Sequence, residues 1–249
     1  MDTGLLLTVL IVFGGVQGAL RFLPPTAADR REVVELLSTP LIAGLIAARL
    51  VFVLLDHPAS VFRLRDLMVV RAGMEFWAGV VVAMLLVLFR IQRSNDRGGA
   101  AATFAAATPF VLIGIALYEG SCLVRDGCLG PVARVGLRPS GLDTTMVPVG
   151  VIVALVLMAA ALALRQAWTL DVDRTVLVAL IALSGVRLVA SWFLPAFGQS
   201  RVERETSVAL AASVGALLVL VARRRRSRRL LSFPGPDASS EVGADRNRT

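Results

Sequence analysis

The chain has 249 residues, of which 56% are hydrophobic and 18% charged, with a mean hydropathy of +0.75; a soluble domain carries about a quarter charged residues, so the soluble class is excluded. Every basic residue is Arg, which removes Schiff-base chemistry and a phosphate-binding P-loop. His57 is the single histidine, so no HExxH or His-rich metal site exists, and no cofactor or metal is expected.

Seven apolar runs stand in chain order: Thr3–Leu20, Pro40–Leu55, Gly73–Phe89, Ala100–Tyr118, Thr145–Leu164, Thr175–Pro195 and Thr206–Ala222. A bilayer requires roughly 20 residues per helix. The chain therefore reads as an all-α polytopic membrane protein, with about seven transmembrane helices in residues 1–222 and a basic, disordered tail in 223–249. The second and third runs are short. Asp2 is the only charge ahead of the first run, so that run reads as a retained helix and not as a cleaved signal peptide. The connections are polar and Arg-bearing, as at Arg90–Arg97 and Arg165–Arg174, and none accommodates a soluble domain. Pro109 and Pro148 are isolated and read as mild kinks or helix starts. No repeat or matched pair of broken helices points to a transporter.

The net charge of +8 is unevenly placed: residues 223–249 hold eight Arg and three acids, a net of +5, which leaves +3 for the other 222 residues. A basic run directly behind an apolar helix reads as an anchor on anionic lipid, where each Arg contributes roughly 1 kcal/mol, and not as a nucleic-acid contact. With that tail inside and an odd number of spans, the N-terminus is outside. Fourteen loop and tail-cluster arginines then fall inside and eight outside, in the sense of the positive-inside rule.

Arg49 and Arg187 lie within apolar runs, where a charge is costly. Counted from the ends of those runs, Arg49 sits roughly 9 Å and Arg187 roughly 12 Å below the outer surface. Glu75 and Glu119 stand at the outer ends of the third and fourth runs. Two arrangements remain open: an outward-opening polar cavity in which the arginines bind an anionic ligand, or helix-packing ion pairs Arg49–Glu75 and Arg187–Glu119. In the outer segment His57–Arg71, Phe62, Leu64, Leu67, Met68 and Val69 alternate with Arg63, Arg65 and Asp66, as in an interfacial element or a plain connection. His57, beside a proline, reads as a surface histidine ahead of a general base. The outer loop Glu119–Asp143 contains Cys122 and Cys128, a disulfide candidate if the compartment is oxidising and otherwise two free small residues. Their spacing is not that of a thioredoxin-type pair, and two thiols without a nearby histidine make no metal site.

Five segments follow one another from about residue 40 to 195: Ala47-Ala48-Arg49-Leu50-Val51-Phe52-Val53-Leu54, Ala72-Gly73-Met74-Glu75-Phe76-Trp77-Ala78-Gly79, Cys122 through Gly130, Pro139-Ser140-Gly141-Leu142-Asp143, and Gly185-Val186-Arg187. In order and spacing they resemble the prolipoprotein diacylglyceryl transferase family. The counterparts are its arginine-bearing second helix, the GGxxFHGG opening of its third, its GCFLAGCCYG-type loop, its PSQLYE stretch and the arginine of its sixth helix. The resemblance implies a multi-pass protein of the bacterial plasma membrane, N-terminus outside and C-terminus cytoplasmic. Its partners would be phosphatidylglycerol and a lipoprotein signal peptide, and its reaction the transfer of diacylglycerol to the peptide's cysteine thiol at the outer leaflet. On that alignment Arg187 and Arg49 clamp the phosphoglycerol leaving group, and Trp77 and Gly79 belong to the same substrate region. The alignment assigns no base; Glu75 and Glu119 are candidates for the proton acceptor by position alone.

The same alignment carries departures. Trp77 stands in place of a functional histidine, Glu119 of an arginine, Cys122 of an asparagine, and Gly127 and Ser191 of glutamates. A catalytically inactive paralogue that binds a lipid or a membrane-protein partner is therefore the second reading.

Overall fold

The structure is a computed structural model that describes residues 3–23, 25, 28–56, 75–125, 129–138, 143–166, 172–193, 206–216 and 218–219. The described helices are α1 (Thr3–Phe22), α2 (Arg30–Asp56), α3 (Phe76–Arg93), α4 (Arg97–Gly120), α5 (Val149–Gln166), α6 (Val172–Ser191) and α7 (Thr206–Ala216). Each expected apolar run overlaps one of them. Helices α2 to α6 are long and apolar enough to cross a membrane, and two shorter apolar helices, Leu7–Phe22 and Thr206–Ala216, accompany them. Many large apolar side chains, including Phe13, Ile42, Leu85 and Leu155, are exposed on the outside of the bundle. Patches of that extent fit a lipid solvent and not water. The protein is an all-α polytopic membrane protein.

The segment His57–Arg71, Cys128, Pro139–Leu142 and the tail 223–249 lie outside the described residues.

Several helix ends differ from the sequence expectation. Helix α2 begins at Arg30, ten residues before Pro40, and Pro40 lies inside it. The added turns are amphipathic: Val33 and Leu37, four residues apart, are buried, while Glu32 and Glu35 face outward. Proline supplies no N–H, so the Leu36 carbonyl, four residues back, has no amide partner at position 40. Arg90 fills the gap. Its Nη1 donates to the carbonyls of Glu35 at 2.8 Å and Leu36 at 3.2 Å, and its Nη2 donates to Thr39 Oγ1 at 2.8 Å. For this contact α3 runs on past Phe89 to Arg93, taking Arg90 out of the expected loop and into the last turn. At its other end α6 stops at Ser191, short of Pro195.

Helices α2 and α3 pack antiparallel at very close range. A Cβ on Gly44 would lie 2.7 Å from the Gly79 carbonyl oxygen, and one on Gly79 would lie 2.8 Å from the Gly44 carbonyl oxygen. Ala48 and Ala83, one turn further along each helix, complete two small-xxx-small stripes. The Glu75 N–H donates to the Ala48 carbonyl at 3.0 Å and ties the start of α3 to α2.

Helix α4 is the most buried of the spans, with Ala105, Ala106, Ala107, Phe110 and Ile113 all covered. Against it lies the stripe Val149, Val153, Leu157, Ala161 and Leu164 of α5, spaced for one helical face. Helices α6 and α7 are joined by hydroxyls: Ser213 Oγ donates to Ser184 Oγ at 2.8 Å and Thr206 Oγ1 to Ser191 Oγ at 3.0 Å.

The Glu119–Asp143 segment holds more order than a plain loop. A 3-10 turn covers Ser121–Arg125, and a short strand, β1 (Val132–Leu137), bridges antiparallel to Met146. Ala133 N–H donates to the Thr145 carbonyl at 2.9 Å and Val147 N–H to the Pro131 carbonyl at 3.1 Å. With Pro148 leading, α5 starts at Val149 and not at Thr145, as a proline just ahead of a first turn favours.

Candidate functional site

More of the described arginines lie at one end of the bundle than at the other. One end of the bundle gathers Arg21, Arg30, Arg31, Arg90, Arg93, Arg97, Arg165 and Arg174, all at or beside helix termini. The opposite end holds Arg49, Glu75, Glu119 and Arg187, near the C-termini of α2, α4 and α6 and the N-terminus of α3, together with Arg125, Arg134 and Arg138 in the α4–α5 connection.

The centre of the second end is an ion pair. Arg187 Nη2 donates to Glu119 Oε1, with each side chain only 11% exposed. Of the two ion pairs considered on sequence alone, Arg187–Glu119 is formed. Helix geometry accounts for it. Glu119 occupies the last turn of α4, where the negative end of the helix dipole disfavours a carboxylate. Arg187, near the C-terminus of α6, supplies the cation that both helix ends require. It lies four residues from the end of α6, roughly 6 Å along the axis, so it is shallower than the roughly 12 Å counted to Pro195.

A third residue completes the cluster. The Arg187 guanidinium carbon stands 3.9 Å from the centroid of the Phe76 ring. Phe76 is the first residue of α3 and packs against the main core. It meets the Trp77 ring edge-on, with centroids 5.4 Å apart and planes at 80°. Sequence reasoning passed over Phe76. Its signal was an aromatic residue opening a helix directly after Glu75, in the place of the phenylalanine of the GGxxFHGG pattern.

The other sequence-derived site residues are placed as follows. Trp77 is buried, 5% exposed, and its indole Nε1 has no hydrogen-bond partner among the described residues. Arg49 is half-buried, with its guanidinium carbon 5.5 Å from the centroid of Phe52, one turn along its own helix. Glu75 donates its backbone N–H to the carbonyl of Ala48, the residue before Arg49, and its side chain makes no capping bond to α3. Gly79 belongs to the α2–α3 contact, where the Gly44 carbonyl occupies the space a side chain would need. Cys122 is buried in the 3-10 turn. Ser191 donates to the Leu188 carbonyl at 2.7 Å and accepts from Thr206.

Two hollows formed by described residues lie elsewhere. An apolar groove of 260 Å³ between α1, α4 and α5 is lined by Ile11, Leu117, Gly120, Leu155 and Met158, among others. A hollow of 510 Å³ at the arginine-rich end is lined by Gln17, Asp29, Arg30, Arg31, Val34 and Glu35. Among the described residues no three His, Cys, Asp or Glu side chains gather as a metal site would require.

The molecule is thus a multi-pass helical membrane protein with a buried, aromatic-faced Arg–Glu pair at one end of its bundle. No protein-family model matches the sequence, and no curated protein matches it.

Proposed function

We propose that the protein acts on an anionic phospholipid at the membrane surface, as a divergent relative of the prolipoprotein diacylglyceryl transferases. The observation that carries this reading is the Glu119 carboxylate held on the Arg187 guanidinium at one membrane end. A transferase of this kind needs a cation for a phosphate and a proton acceptor within reach of it, and here the two stand in contact. Arg187 binds the phosphate of phosphatidylglycerol. The thiol sulfur of a signal-peptide cysteine forms a C–S bond to the glyceryl carbon as the C–O bond to phosphate breaks. Glycerol phosphate leaves, the thiol proton passes to Glu119, and diacylglycerol remains on the peptide as a thioether. Arg49 and Glu75, joined to the same end through α2 and α3, are the next candidates for headgroup contact and proton transfer, and Trp77 presents an indole N–H in place of the family's histidine.

The arginine sorting supports an orientation as well. With Arg90 and its neighbours inside, the Arg187 end faces outward in a bacterial plasma membrane. A reporter fused after Thr249 and active only in the cytoplasm tests this; activity of an export-dependent reporter at the same position refutes it.

A second reading has its own observation. Arg187 and Glu119 neutralise each other with little exposure, as a structural pair does, and Trp77 cannot act as a histidine base. The protein would then be an inactive paralogue that binds a lipid or a membrane-protein partner.

The deciding experiment incubates purified protein with labelled phosphatidylglycerol and a peptide bearing a lipobox cysteine. A thioether-linked diacylglyceryl product establishes transfer, and its loss in Arg187→Lys, which keeps the charge and loses the guanidinium fork, assigns the phosphate clamp. Phospholipid binding without product establishes the paralogue.

A further inference from the structure

We propose that Phe76 is a positioning residue for Arg187, a fixed platform on which the guanidinium exchanges its Glu119 partner for the phosphate of an anionic phospholipid. The inference rests on the phosphate-binding reading just given. A guanidinium is planar, and all its N–H donors lie in that plane, so its edge and its face take different partners. Glu119 accepts from an N–H at the edge, and the guanidinium carbon stands over the Phe76 ring, 3.9 Å from its centroid. Carboxylate and phosphate are both oxyanions that a guanidinium fork engages through its edge. One can replace the other without the ring letting go.

The platform is held still from its own side. Phe76 packs on the core and takes the edge of Trp77 at 5.4 Å, and α3 is fixed to α2 by the Gly44–Gly79 approach. Its position therefore does not depend on Glu119. When the carboxylate is displaced, the arginine keeps the ring beneath it and with it an orientation, and it does not swing into the neighbouring lipid. The exchange also leaves the Glu119 carboxylate beside the phosphate-bound arginine, where the proposed proton acceptor must be.

The test places the full chain in phosphatidylcholine nanodiscs doped with phosphatidylglycerol and reads bound phosphatidylglycerol by native mass spectrometry. A parallel arm offers soluble glycerol 3-phosphate and separates a lipid headgroup from free phosphate as the source. Wild-type protein retains the lipid, and Arg187→Leu loses it. Phe76→Leu weakens retention on the order of threefold to tenfold, the cost of ordering one long side chain only when the lipid binds, and Phe76→Trp restores it. Glu119→Gln tightens retention, because no carboxylate then competes for the arginine. A merely structural role for Phe76 lowers the melting temperature and leaves retention unchanged in the folded Phe76→Leu protein; that result overturns the platform while phosphate binding stands. Retention that survives Arg187→Leu, or that wild type never shows, overturns the phosphate reading and the platform together.

Discussion

Arg90 supplies to Leu36 the hydrogen bond that Pro40 cannot. Its Nη1 lies 3.2 Å from the Leu36 carbonyl oxygen, reaching across from the last turn of α3 into the gap in α2. Helix prolines inside a membrane persist where a neighbouring helix satisfies the carbonyl they release, and here a cation does so. Replacing Arg90 with Met removes up to three bonds from one charged donor and should lower stability by about 2–3 kcal/mol. In a Pro40→Ala background the backbone N–H returns, so the same Arg90 change should cost distinctly less. Thermal unfolding of the four proteins in detergent measures the coupling; equal costs in both backgrounds would show that Arg90 does not serve the proline gap.

The paired glycines predict a steep dependence on side-chain size. Gly44→Ala or Gly79→Ala puts a methyl group against backbone oxygen at under 3 Å, and a backbone oxygen cannot rotate away. Each change should cost about 1–3 kcal/mol through overpacking, and Gly44→Val more. Gly18 has open space around its Cβ position, so Gly18→Ala should be neutral or stabilising by up to about 1 kcal/mol, the helix propensity gain. A comparison of the unfolding temperatures of these variants decides it.

Breaking the Arg187–Glu119 pair from one side leaves a charge in a covered position. Arg187→Leu or Glu119→Leu alone should destabilise the bundle by about 3–5 kcal/mol, and the double replacement by much less, because neither charge is then stranded. The check is the yield and melting temperature of the monodisperse protein for the two single variants and the double. A double variant as unstable as the worse single variant would contradict this account.

Between α6 and α7 the hydroxyl bonds are each worth little. A double-mutant cycle on Ser184→Ala and Ser213→Ala should return a coupling of about 0.6 kcal/mol, the usual size for interhelical side-chain bonds in membranes. Ser213→Leu should be far more damaging, since Ser184 is fully buried and leaves no room opposite. Unfolding by denaturing detergent reads both.

The seven apolar helices were legible because each run is apolar along most of its length, and lipid demands little else; five of the helices are long enough to cross a membrane. Their ends were harder. Pro40 reads as a helix start by local rules, and only the three-dimensional approach of Arg90, fifty residues on, shows why the helix continues back to Arg30. The strand β1 has exposed Val132 and Val135 and partners a single bridging residue, so no alternation or hairpin turn announced it. For the site, the pairing of Arg187 with Glu119 was one of two options, and sequence alone could not choose, since a charge in a span serves packing and ligands alike. Phe76 went unseen for a different reason: an aromatic residue in an apolar run has no signature until the arginine above it is located. Gly79, grouped with the substrate residues by resemblance, sits in a helix contact whose other half, Gly44, lies thirty-five positions earlier.

The unequal lengths of α2 and α3 set a preference for the surrounding lipid. Helix α2 has 27 residues and α3 has 18, about 40 Å and about 27 Å along their axes. Because the glycine contact and Arg90 clamp the two together, neither can tilt or slide independently to suit a bilayer. The apolar belt of the pair is therefore no taller than its shorter member, with the first turns of α2 carrying Arg30, Arg31, Glu32 and Glu35 beyond it. A membrane much thicker than about 27 Å must thin against α3 at some elastic cost, so the hairpin acts as a gauge that favours thin bilayers over thick, sterol-rich ones.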